Sequence, residues 1–330
     1  MVAGLEDVSV QGSYTRSRDS CVVEYRRLGR SDLVVSAVGL GAWQWGSRAY
    51  WGFGGSYGMQ DLVAIRDAAL GSGINLFDTA ELYGRGESER IIGEIVPKGE
   101  GVIIATKYWP FKLSSDSVFR SVDKSLRRLK VREIDLYQIH WPNPTNSLPR
   151  LIRNMERLIK LGKIRYIGLS NFGVKGMERA NEALSFSDIA SNQVSYSLLD
   201  RRIEANGVMD YCRKNRISVL AWSPLAQGLL TGRFRPGVRV RGMRRIRPAF
   251  SNGNRRRVEP LLKELEGIGA SLSKTPSQVA LNWLLRDEMV VAIPGASNPG
   301  QVLMNSGSVG WRLDGDDLAR LDAVCRVCSR

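Results

Sequence analysis

The sequence predicts an α/β protein: a (β/α)8 barrel with an N-terminal β-hairpin and extra C-terminal helices. Eight short runs of apolar and β-branched residues alternate with longer segments of helical period. This alternation predicts a parallel sheet, because parallel strands need crossover connections, and eight such units point to a closed barrel. The competing open sheet usually carries G-x-G-x-x-G after its first strand, and the sequence has no such match.

Each element follows from this alternation. The predicted barrel strands are residues 34–40, 74–77, 102–106, 134–140, 164–169, 189–194, 217–221 and 290–293. The helices between them are predicted over residues 59–71, 87–96, 115–129, 148–161, 174–184, 203–215 and 276–286, with extra helices over 258–272 and 315–327. Two short stretches, 22–28 and 33–38, flank a turn-forming Gly-Arg-Ser-Asp sequence and predict the hairpin.

The composition is typical of a globular protein, with 43% hydrophobic and 25% charged residues. Residues 1–20 are polar and unpatterned, so we expect a flexible tail followed by one barrel domain over residues 21–330. No apolar run is long enough to span a membrane, and the N-terminus lacks the apolar region of a secretory signal. We therefore expect a cytoplasmic protein that is a monomer or a weak homo-oligomer.

The excess positive charge is concentrated in one segment. The net charge is +15, and ten arginines but no acidic residues lie between Arg233 and Arg257. Such a segment is compatible with an anionic small ligand, a solvated loop or a nucleic-acid patch. Nucleic acid is the least favoured, because residues 239–257 contain no aromatic residue other than Phe250.

Polar residues at three successive strand ends suggest a chemistry. Active sites of barrels lie at the carboxyl ends of the strands, where the sequence has Asp78, Lys107 and His140, with Tyr83 shortly after Asp78. An ammonium beside a phenol lowers its pKa, a carboxylate orients the ammonium, and an imidazole donates to a carbonyl oxygen. The set suits reduction of a carbonyl group, although each residue alone also fits a structural role, such as a helix cap or a core histidine.

A cysteine pair near the C-terminus, Cys325 and Cys328, has the spacing of some metal and redox sites. No second pair accompanies it, and the only histidine of the chain is His140. We interpret the pair as part of a surface helix and predict no metal site.

Three segments, NLFDTAELYG (75–84), ATK (105–107) and LYQIHWP (136–142), resemble the aldo-keto reductase family. The resemblance extends from about Tyr25 to Leu321. It implies a (β/α)8 barrel that transfers a hydride from NADPH to the carbonyl carbon of a small molecule. It also implies that Asp78, Tyr83, Lys107 and His140 are catalytic, with Tyr83 as the proton donor.

The resemblance also implies a cofactor site. Ser170, Asn171 and Gln193 correspond to the family's contacts with the nicotinamide carboxamide, and Tyr196 to an aromatic residue that stacks on the ring. The full set of implied cofactor residues is Gly41, Ala42, Trp43, Asp78, Ser170, Asn171, Gln193, Tyr196, Trp222, Ser223, Pro224, Leu225, Ala226, Gly228, Arg233, Gly295, Ser297, Gln301 and Asn305.

The sequence differs from many family members at the position that binds the 2′-phosphate of NADPH. Ser297 and Gln301 stand where many members carry basic residues that bind the 2′-phosphate, so the arginine segment is the expected source of that charge.

Trp45, Trp109 and Trp141, together with Trp43, are expected to form the substrate pocket. A regulatory or sensor barrel that binds NADPH with little turnover is the alternative function.

Overall fold

Eight parallel strands form the wall of a closed barrel in the computed structural model. The structure describes residues 23–47, 51–99, 101–112, 114–240 and 242–328, and the predicted tail, residues 1–20, lies outside these ranges. The strands are β1 (Tyr25–Arg27), β2 (Val34–Ser36), β3 (Leu40–Gly41), β4 (Leu76–Asp78), β5 (Ile103–Tyr108), β6 (Ile134–Ile139), β7 (Ile164–Ser170), β8 (Ile189–Ser195), β9 (Ser218–Trp222) and β10 (Val290–Ile293). Strands β3 to β10 pair in chain order.

Backbone hydrogen bonds between the first and last barrel strands close the wall. Gly39 donates to the carbonyl oxygen of Ala292 (2.8 Å), and Ala292 donates to that of Ala37 (2.9 Å). Gly41 donates to the carbonyl oxygen of Pro294 (3.1 Å). The predicted (β/α)8 barrel is therefore confirmed.

Helices cover the outside of the barrel, as its β–α alternation requires. They are α1 (Met59–Gly71), α2 (Glu87–Ile95), α3 (Ser117–Leu129), α4 (Leu148–Lys160), α5 (Val174–Ala183), α6 (Arg202–Ala205), α7 (Val208–Asn215), α8 (Asn252–Leu272), α9 (Pro276–Leu285), α10 (Pro299–Ser306) and α11 (Gly315–Cys328). Their apolar faces pack with the outward-facing strand residues into one large core.

The predicted N-terminal hairpin is present, and it covers the amino end of the barrel. Strands β1 and β2 pair antiparallel. Leu28, Leu33 and Val35 pack against inward-facing residues such as Leu76 and Ile103 in a second core cluster. The hairpin therefore fills the end of the barrel opposite the carboxyl ends of its strands.

Two predicted elements are divided in the structure. Residues 34–40 are not one strand: Val34–Ser36 belongs to the hairpin, held by the Asn75 side chain, which accepts from the Ser36 N–H (2.7 Å) and donates to the Val34 carbonyl (2.9 Å). Residues 203–215 form two helices, because Gly207 takes a φ of +80° and starts a new helix.

Two further elements begin differently from the prediction. Helix α8 starts at Asn252 rather than at residue 258, with Ser251 as its N-cap. Helix α10 was not predicted, although Asn298 followed by Pro299 is a recognisable helix start.

Candidate active site

Three strands bring a carboxylate, an ammonium and an imidazole to the carboxyl end of the barrel. Asp78 is the last residue of β4, Lys107 lies near the end of β5, and His140 directly follows β6. Tyr83 begins the 3-10 turn Tyr83–Gly86 after β4. The structure brings these four side chains together, although 62 positions separate Asp78 from His140 in the sequence.

A buried ion pair forms the base of the site. Lys107 Nζ donates to Asp78 Oδ1 (2.6 Å) and to the Thr79 carbonyl oxygen (2.8 Å). Asp78 Oδ2 accepts from Gln193 Nε2 (2.8 Å) and from Gln138 Nε2 (3.1 Å). Both Asp78 oxygens therefore have donors, as a buried carboxylate requires.

Gln138 is a site residue that the sequence interpretation did not identify. Its Oε1 also accepts from Gln193 Nε2 (3.1 Å), so it connects Gln193 to Asp78. The available signal was a polar residue between the apolar residues Tyr137 and Ile139 of β6, a strand that is buried except at Asp135.

The phenol of Tyr83 lies against the ammonium. Lys107 Nζ is 3.3 Å from Tyr83 Oη and 4.8 Å from the centre of the Tyr83 ring. The His140 ring meets the Tyr83 ring edge-on, with centroids 5.7 Å apart, and meets the Trp109 ring at the same distance. The Trp43 ring also lies near Tyr83, with ring centroids 6.3 Å apart.

Burial controls the protonation of these groups. Burial is the largest influence on Tyr83 and raises the pKa of its phenol. The Lys107 charge lowers this pKa and the Asp78 charge raises it further, so the pKa lies above its ordinary value. The sequence predicted that the Lys107 ammonium would lower the pKa of the phenol, but burial has the larger effect. Burial lowers the pKa of Lys107, but the charges of Asp78 and Tyr83 outweigh it and the net shift is upward.

His140 is neutral at pH 7. Burial and then the Lys107 charge lower the pKa of the imidazole to about 3. Its Nδ1 is buried and has no hydrogen-bond partner among the residues that the structure describes. A neutral imidazole retains one N–H, so His140 can donate a hydrogen bond without carrying charge.

The residues predicted at the ends of β7 and β9 lie on the same rim as His140. Asn171, with a φ of +65°, donates from Nδ2 to the His140 carbonyl oxygen (3.1 Å). Trp222 Nε1 donates to Asn171 Oδ1 (3.1 Å), and Ser170 Oγ donates to the Gln193 carbonyl oxygen (3.0 Å). The half-buried indole of Trp222 therefore lies at the end of the barrel that holds the ion pair.

The loop after β9 has an unusual backbone. Ser223, Ala226 and Gln227 have φ values of +52°, +48° and +57°, and Gly228 has a φ of +102°. Left-handed residues in such turns orient successive backbone N–H groups into concave anion sites. The predicted loop members Pro224 and Leu225 lie within this turn, and the exposed Arg233 follows it.

The predicted residues around β10 form a local hydrogen-bond network. Gln301 Oε1 accepts from the backbone N–H of Ser297 (2.8 Å) and from its Oγ (3.2 Å). Gly295 pairs with Gly41 across the barrel closure, and a Cβ on Gly295 would overlap the Gln44 side chain. Ala42 lies beside this closure and donates to the Asp78 carbonyl oxygen (2.8 Å), while Asn305 is buried in α10.

The structure corrects two expected positions. Tyr196 is 1% exposed, its hydroxyl donates to Glu204 Oε1 (2.5 Å), and its ring packs against Trp283, so its face is not available for stacking on a cofactor. Trp45 is 0% exposed and belongs to the core rather than to a pocket wall. Trp109 is half-buried beside His140, whereas Trp141 is 40% exposed.

Part of the arginine segment is used inside the protein. Arg235 forms ion pairs with Glu259 (2.5 Å) and Glu266. Arg255 is 6% exposed and donates to the carbonyl oxygens of Arg235 (2.7 Å) and Val238 (2.8 Å). These two guanidinium groups stabilise the segment itself, which weakens the interpretation of the whole segment as a nucleic-acid surface.

The remaining expectations concern the C-terminal cysteine pair, metal sites and membrane-spanning helices. Cys325 is 1% exposed, which corrects its predicted surface position, and the side chain of Cys328 lies outside the described part of the chain. Within the described ranges, no group of three or more histidine, cysteine or acidic residues is placed to hold a metal ion. None of the helices in those ranges has both the length and the apolar character to cross a membrane.

The sequence is similar to those of known oxidoreductases over most of its length. The Aldo/keto reductase family model matches residues 37–326. An uncharacterised oxidoreductase of Mycobacterium tuberculosis is 41% identical over 294 residues, which cover 89% of this chain and 90% of the relative. The NADH-specific methylglyoxal reductase of Escherichia coli is 31% identical, over 92% of this chain and 98% of that protein.

A solved structure is also similar over nearly its full length. The aldo-keto reductase from Klebsiella pneumoniae, crystallised in complex with NADPH, is 28% identical with a TM-score of 0.74, covering 92% of this chain and 95% of that one. Because the family model spans most of the sequence and the relatives are similar over almost their whole length, this chain belongs to the aldo/keto reductase family.

Proposed function

We propose that this protein reduces aldehyde or ketone groups of small molecules to alcohols with NADPH, and that Tyr83 donates the proton. One observation carries the proposal: Tyr83 Oη lies 3.3 Å from Lys107 Nζ, which in turn lies 2.6 Å from Asp78 Oδ1. A phenol beside a buried ammonium is suited to releasing its proton during a reaction, because the phenolate that forms is stabilised at once.

The residues at the rim fit a nicotinamide dinucleotide. The left-handed turn after β9 is of the kind whose backbone N–H groups bind phosphate groups. Two of its N–H groups donate within the turn itself, from Ala226 to the Ser223 carbonyl oxygen (2.8 Å) and from Gly228 to the Leu225 carbonyl oxygen (2.9 Å). Asn171 and Gln193 have amide groups for the carboxamide, and the half-buried Trp222 has the exposure for ring stacking that Tyr196 lacks. When bound, the cofactor supplies the hydride.

The chain's own residues supply the proton and the orientation. Tyr83 is protonated at neutral pH, since burial raises the pKa of its phenol, and it gives this proton to the carbonyl oxygen as the carbonyl carbon is reduced. Lys107 then stabilises the phenolate, while Asp78 keeps the ammonium charged and oriented. Neutral His140 donates to the carbonyl oxygen and fixes its position.

The substrate lies between aromatic walls in this proposal. Trp43 lies beside Tyr83 and Trp109 beside His140. Trp141 follows His140 in the chain and is 40% exposed. Aromatic walls around one polar corner are typical of sites for small carbonyl compounds.

NADPH rather than NADH is the proposed cofactor. The Klebsiella pneumoniae neighbour was crystallised with NADPH, whereas the Escherichia coli relative is NADH-specific. Ser297 and Gln301 carry no charge for a 2′-phosphate and bond to each other, so Arg233 is the proposed source of that charge. We expect Arg233→Ala to raise the Michaelis constant for NADPH more than that for NADH.

Steady-state oxidation of NADPH with a panel of aldehydes and ketones tests the proposal. We expect turnover in the common enzyme range, about 1 s⁻¹ or faster for the best substrate. Lys107→Met, with its fold checked by circular dichroism, should lose about a hundredfold or more in turnover. NADPH binding without oxidation by any carbonyl compound would instead favour a regulatory or sensor barrel.

A further inference from the structure

Two buried glutamines meet at the ion pair of Asp78 and Lys107. Gln138 on β6 is 0% exposed, and Gln193 on β8 is 2% exposed. Both Nε2 atoms donate to the same oxygen, Asp78 Oδ2, which lies 3.1 Å from Gln138 and 2.8 Å from Gln193. Gln193 Nε2 also donates to Gln138 Oε1 (3.1 Å). The three side chains, from three different strands, therefore form a closed ring of hydrogen bonds.

The carboxylate determines which way both amide groups face. Asp78 forms an ion pair with Lys107 (2.6 Å), and an ionised carboxylate only accepts hydrogen bonds, so the amide atom that faces it is the nitrogen. Both hydrogens of the Gln193 amide are then used, one by Asp78 and one by Gln138. The atom that Gln193 can offer to a ligand is therefore Oε1, which accepts no hydrogen bond from the described residues of the chain.

The barrel wall leaves space for the Gln138 side chain at a glycine. Gly168 on β7 pairs in register with Gln138, and a Cβ built on Gly168 would lie 2.7 Å from Gln138 Cγ. Gly168 is not among the glycines with a positive φ, so its backbone conformation does not require glycine. The contact with Gln138 therefore explains this glycine, since a larger residue would displace the glutamine.

Two hydrogen bonds hold the Gln193 amide more firmly than one. With the bond to Asp78 alone, the amide could rotate about that bond, whereas the second bond, to Gln138 Oε1, fixes the plane of the group. A group that is ordered before a ligand arrives loses less conformational freedom on binding. If Gln138 only supported the charge of Asp78, its Nε2 would be sufficient, and the contact of its Oε1 with Gln193 would have no purpose.

We propose that Gln138 is a positioning residue that orients the Gln193 amide, so that Gln193 Oε1 accepts a hydrogen bond from the carboxamide NH2 group of the nicotinamide. The inference rests on the proposed function, in which Gln193 contacts the carboxamide, and it adds the residue that makes this contact selective. Gln138 itself does not touch the cofactor. A dinucleotide without the NH2 group should therefore bind less tightly, and the difference should depend on Gln138.

Two dinucleotides that differ only in this group test the proposal. NADP⁺ carries the carboxamide, whereas its 3-acetylpyridine analogue keeps the carbonyl oxygen and has a methyl group in place of the NH2 group. Isothermal titration calorimetry measures the dissociation constant of each without any turnover. We expect the wild type to bind NADP⁺ about fivefold or more tightly than the analogue, because the methyl group leaves Gln193 Oε1 without its donor.

Three variants locate the origin of this preference. Gln138→Met keeps a side chain of similar length but removes both amide contacts, and it should reduce the preference for NADP⁺ to about twofold or less. Gly168→Ala retains the amide but displaces it, and it should remove part of the preference. Gln193→Met removes the proposed acceptor itself and should abolish the preference.

Ser191→Ala is the matched control. Ser191 lies two residues before Gln193 on β8 and is 0% exposed, and a Cβ on Gly168 would also approach its Oγ (2.9 Å). The Ser191 hydroxyl has no hydrogen-bond partner among the residues that the structure describes. The control should therefore keep the wild-type preference for NADP⁺, and circular dichroism checks the fold of every variant.

The outcomes separate this inference from the proposed function. Equal dissociation constants for the two dinucleotides in the wild type would overturn the inference, as would a preference that survives Gln138→Met or Gln193→Met. Weaker binding of both dinucleotides in Gln138→Met with an unchanged preference would show a structural role only. If Gln138→Met does not fold, a full preference in Gly168→Ala would overturn the inference. A wild type that binds neither dinucleotide would overturn the proposed function.

Discussion

Lys107 and Asp78 are almost without solvent contact, at 0% and 2% exposed. A buried ion pair is seldom a net gain in stability, because removing both charges from water costs several kcal/mol. The pair is nevertheless fully hydrogen-bonded, with Gln138, Gln193 and the Thr79 carbonyl as further partners. This arrangement is better explained by the proposed chemistry of Tyr83 than by stabilisation of the fold.

His140 should make the stability of the protein depend on pH. Its pKa is about 3 in the folded state, against about 6.5 for an unfolded histidine, so between these values the unfolded chain binds the extra proton. The free energy of unfolding therefore falls as the pH drops from 6.5 towards 3, by about 2 kcal/mol at pH 5 from this group alone. His140→Asn removes this contribution.

Urea unfolding at pH 7.5 and pH 5 measures the effect. At each pH the free energy of unfolding of wild type is compared with that of His140→Asn. The acidic residues titrate in both proteins, so the comparison isolates the contribution of His140. The same loss of stability in both proteins between the two pH values would contradict the assignment of a neutral, buried imidazole.

The sequence predicted which residues reach the rim but not the direction of every side chain. Asp78, Lys107 and His140 stand out as polar residues at the ends of apolar strands, so their proximity follows from the barrel. Tyr196 follows β8 in the same way, yet its side chain lies against Trp283. The position of a residue at the end of a strand determines at which end of the barrel it lies. The local backbone determines whether its side chain points towards Tyr83 and Lys107.

At the scale of elements, Glu156 anchors a loop at the amino end of the barrel. Its carboxylate on α4 accepts from the backbone N–H groups of Ser185, Phe186 and Ser187 and from Ser187 Oγ, at 2.9 to 3.1 Å. Burial raises the pKa of Glu156, but these backbone donors outweigh it, so the pKa lies below its ordinary value. The stabilisation is present above the unfolded pKa and is lost as the pH falls through the folded one.

Glu156→Ala should lower the free energy of unfolding by about 2 kcal/mol or more, because hydrogen bonds to a charged group are among the strong ones. Amide hydrogen exchange at residues 185–187 should become faster. Glu182→Ala is the matched control, since Glu182 is exposed on the neighbouring helix α5, and it should change neither quantity. Unchanged exchange in Glu156→Ala would contradict the anchoring role.

The elements were predictable where the hydrophobic period was long and unbroken. Helix α1 has the predicted bounds, and α4 differs from its prediction by one residue. The run over 34–40 was misassigned because β-branched residues fit equally well in a hairpin strand and in a barrel strand. Its division depends on the tertiary contact with Asn75, which no local pattern reveals.

At the scale of the whole molecule, the hairpin completes the core at one end of the barrel while the site occupies the other. Leu33 is 1% exposed within this core, whereas its neighbour Val34 is 49% exposed. The stability of the barrel should therefore depend on the hairpin, although the hairpin has no part in the proposed chemistry.

Leu33→Ala should lower the free energy of unfolding by about 2 to 5 kcal/mol, as deletion of a buried leucine side chain does. Val34→Ala, one position away on the surface, should cost less than about 1 kcal/mol. Urea unfolding monitored by circular dichroism measures both changes. Equal effects of the two substitutions would show that the hairpin does not contribute to the core.

The sequence was sufficient for the closed barrel because eight crossover units leave few other arrangements. It did not indicate that Gln138 joins the ion pair or that Arg244 stacks on Trp51. Both contacts join residues that are distant in the chain, and their side chains carry no local signal of a partner.

The turnover number of Tyr83→Phe, measured beside its dissociation constant for NADPH, tests the central claim most directly. Tyr166→Phe, at the opposite end of the barrel, is the control. If Tyr83 donates the proton, kcat of Tyr83→Phe falls by about 10² to 10⁴ while NADPH affinity is retained and the control keeps wild-type activity. An unchanged kcat in Tyr83→Phe would contradict the account.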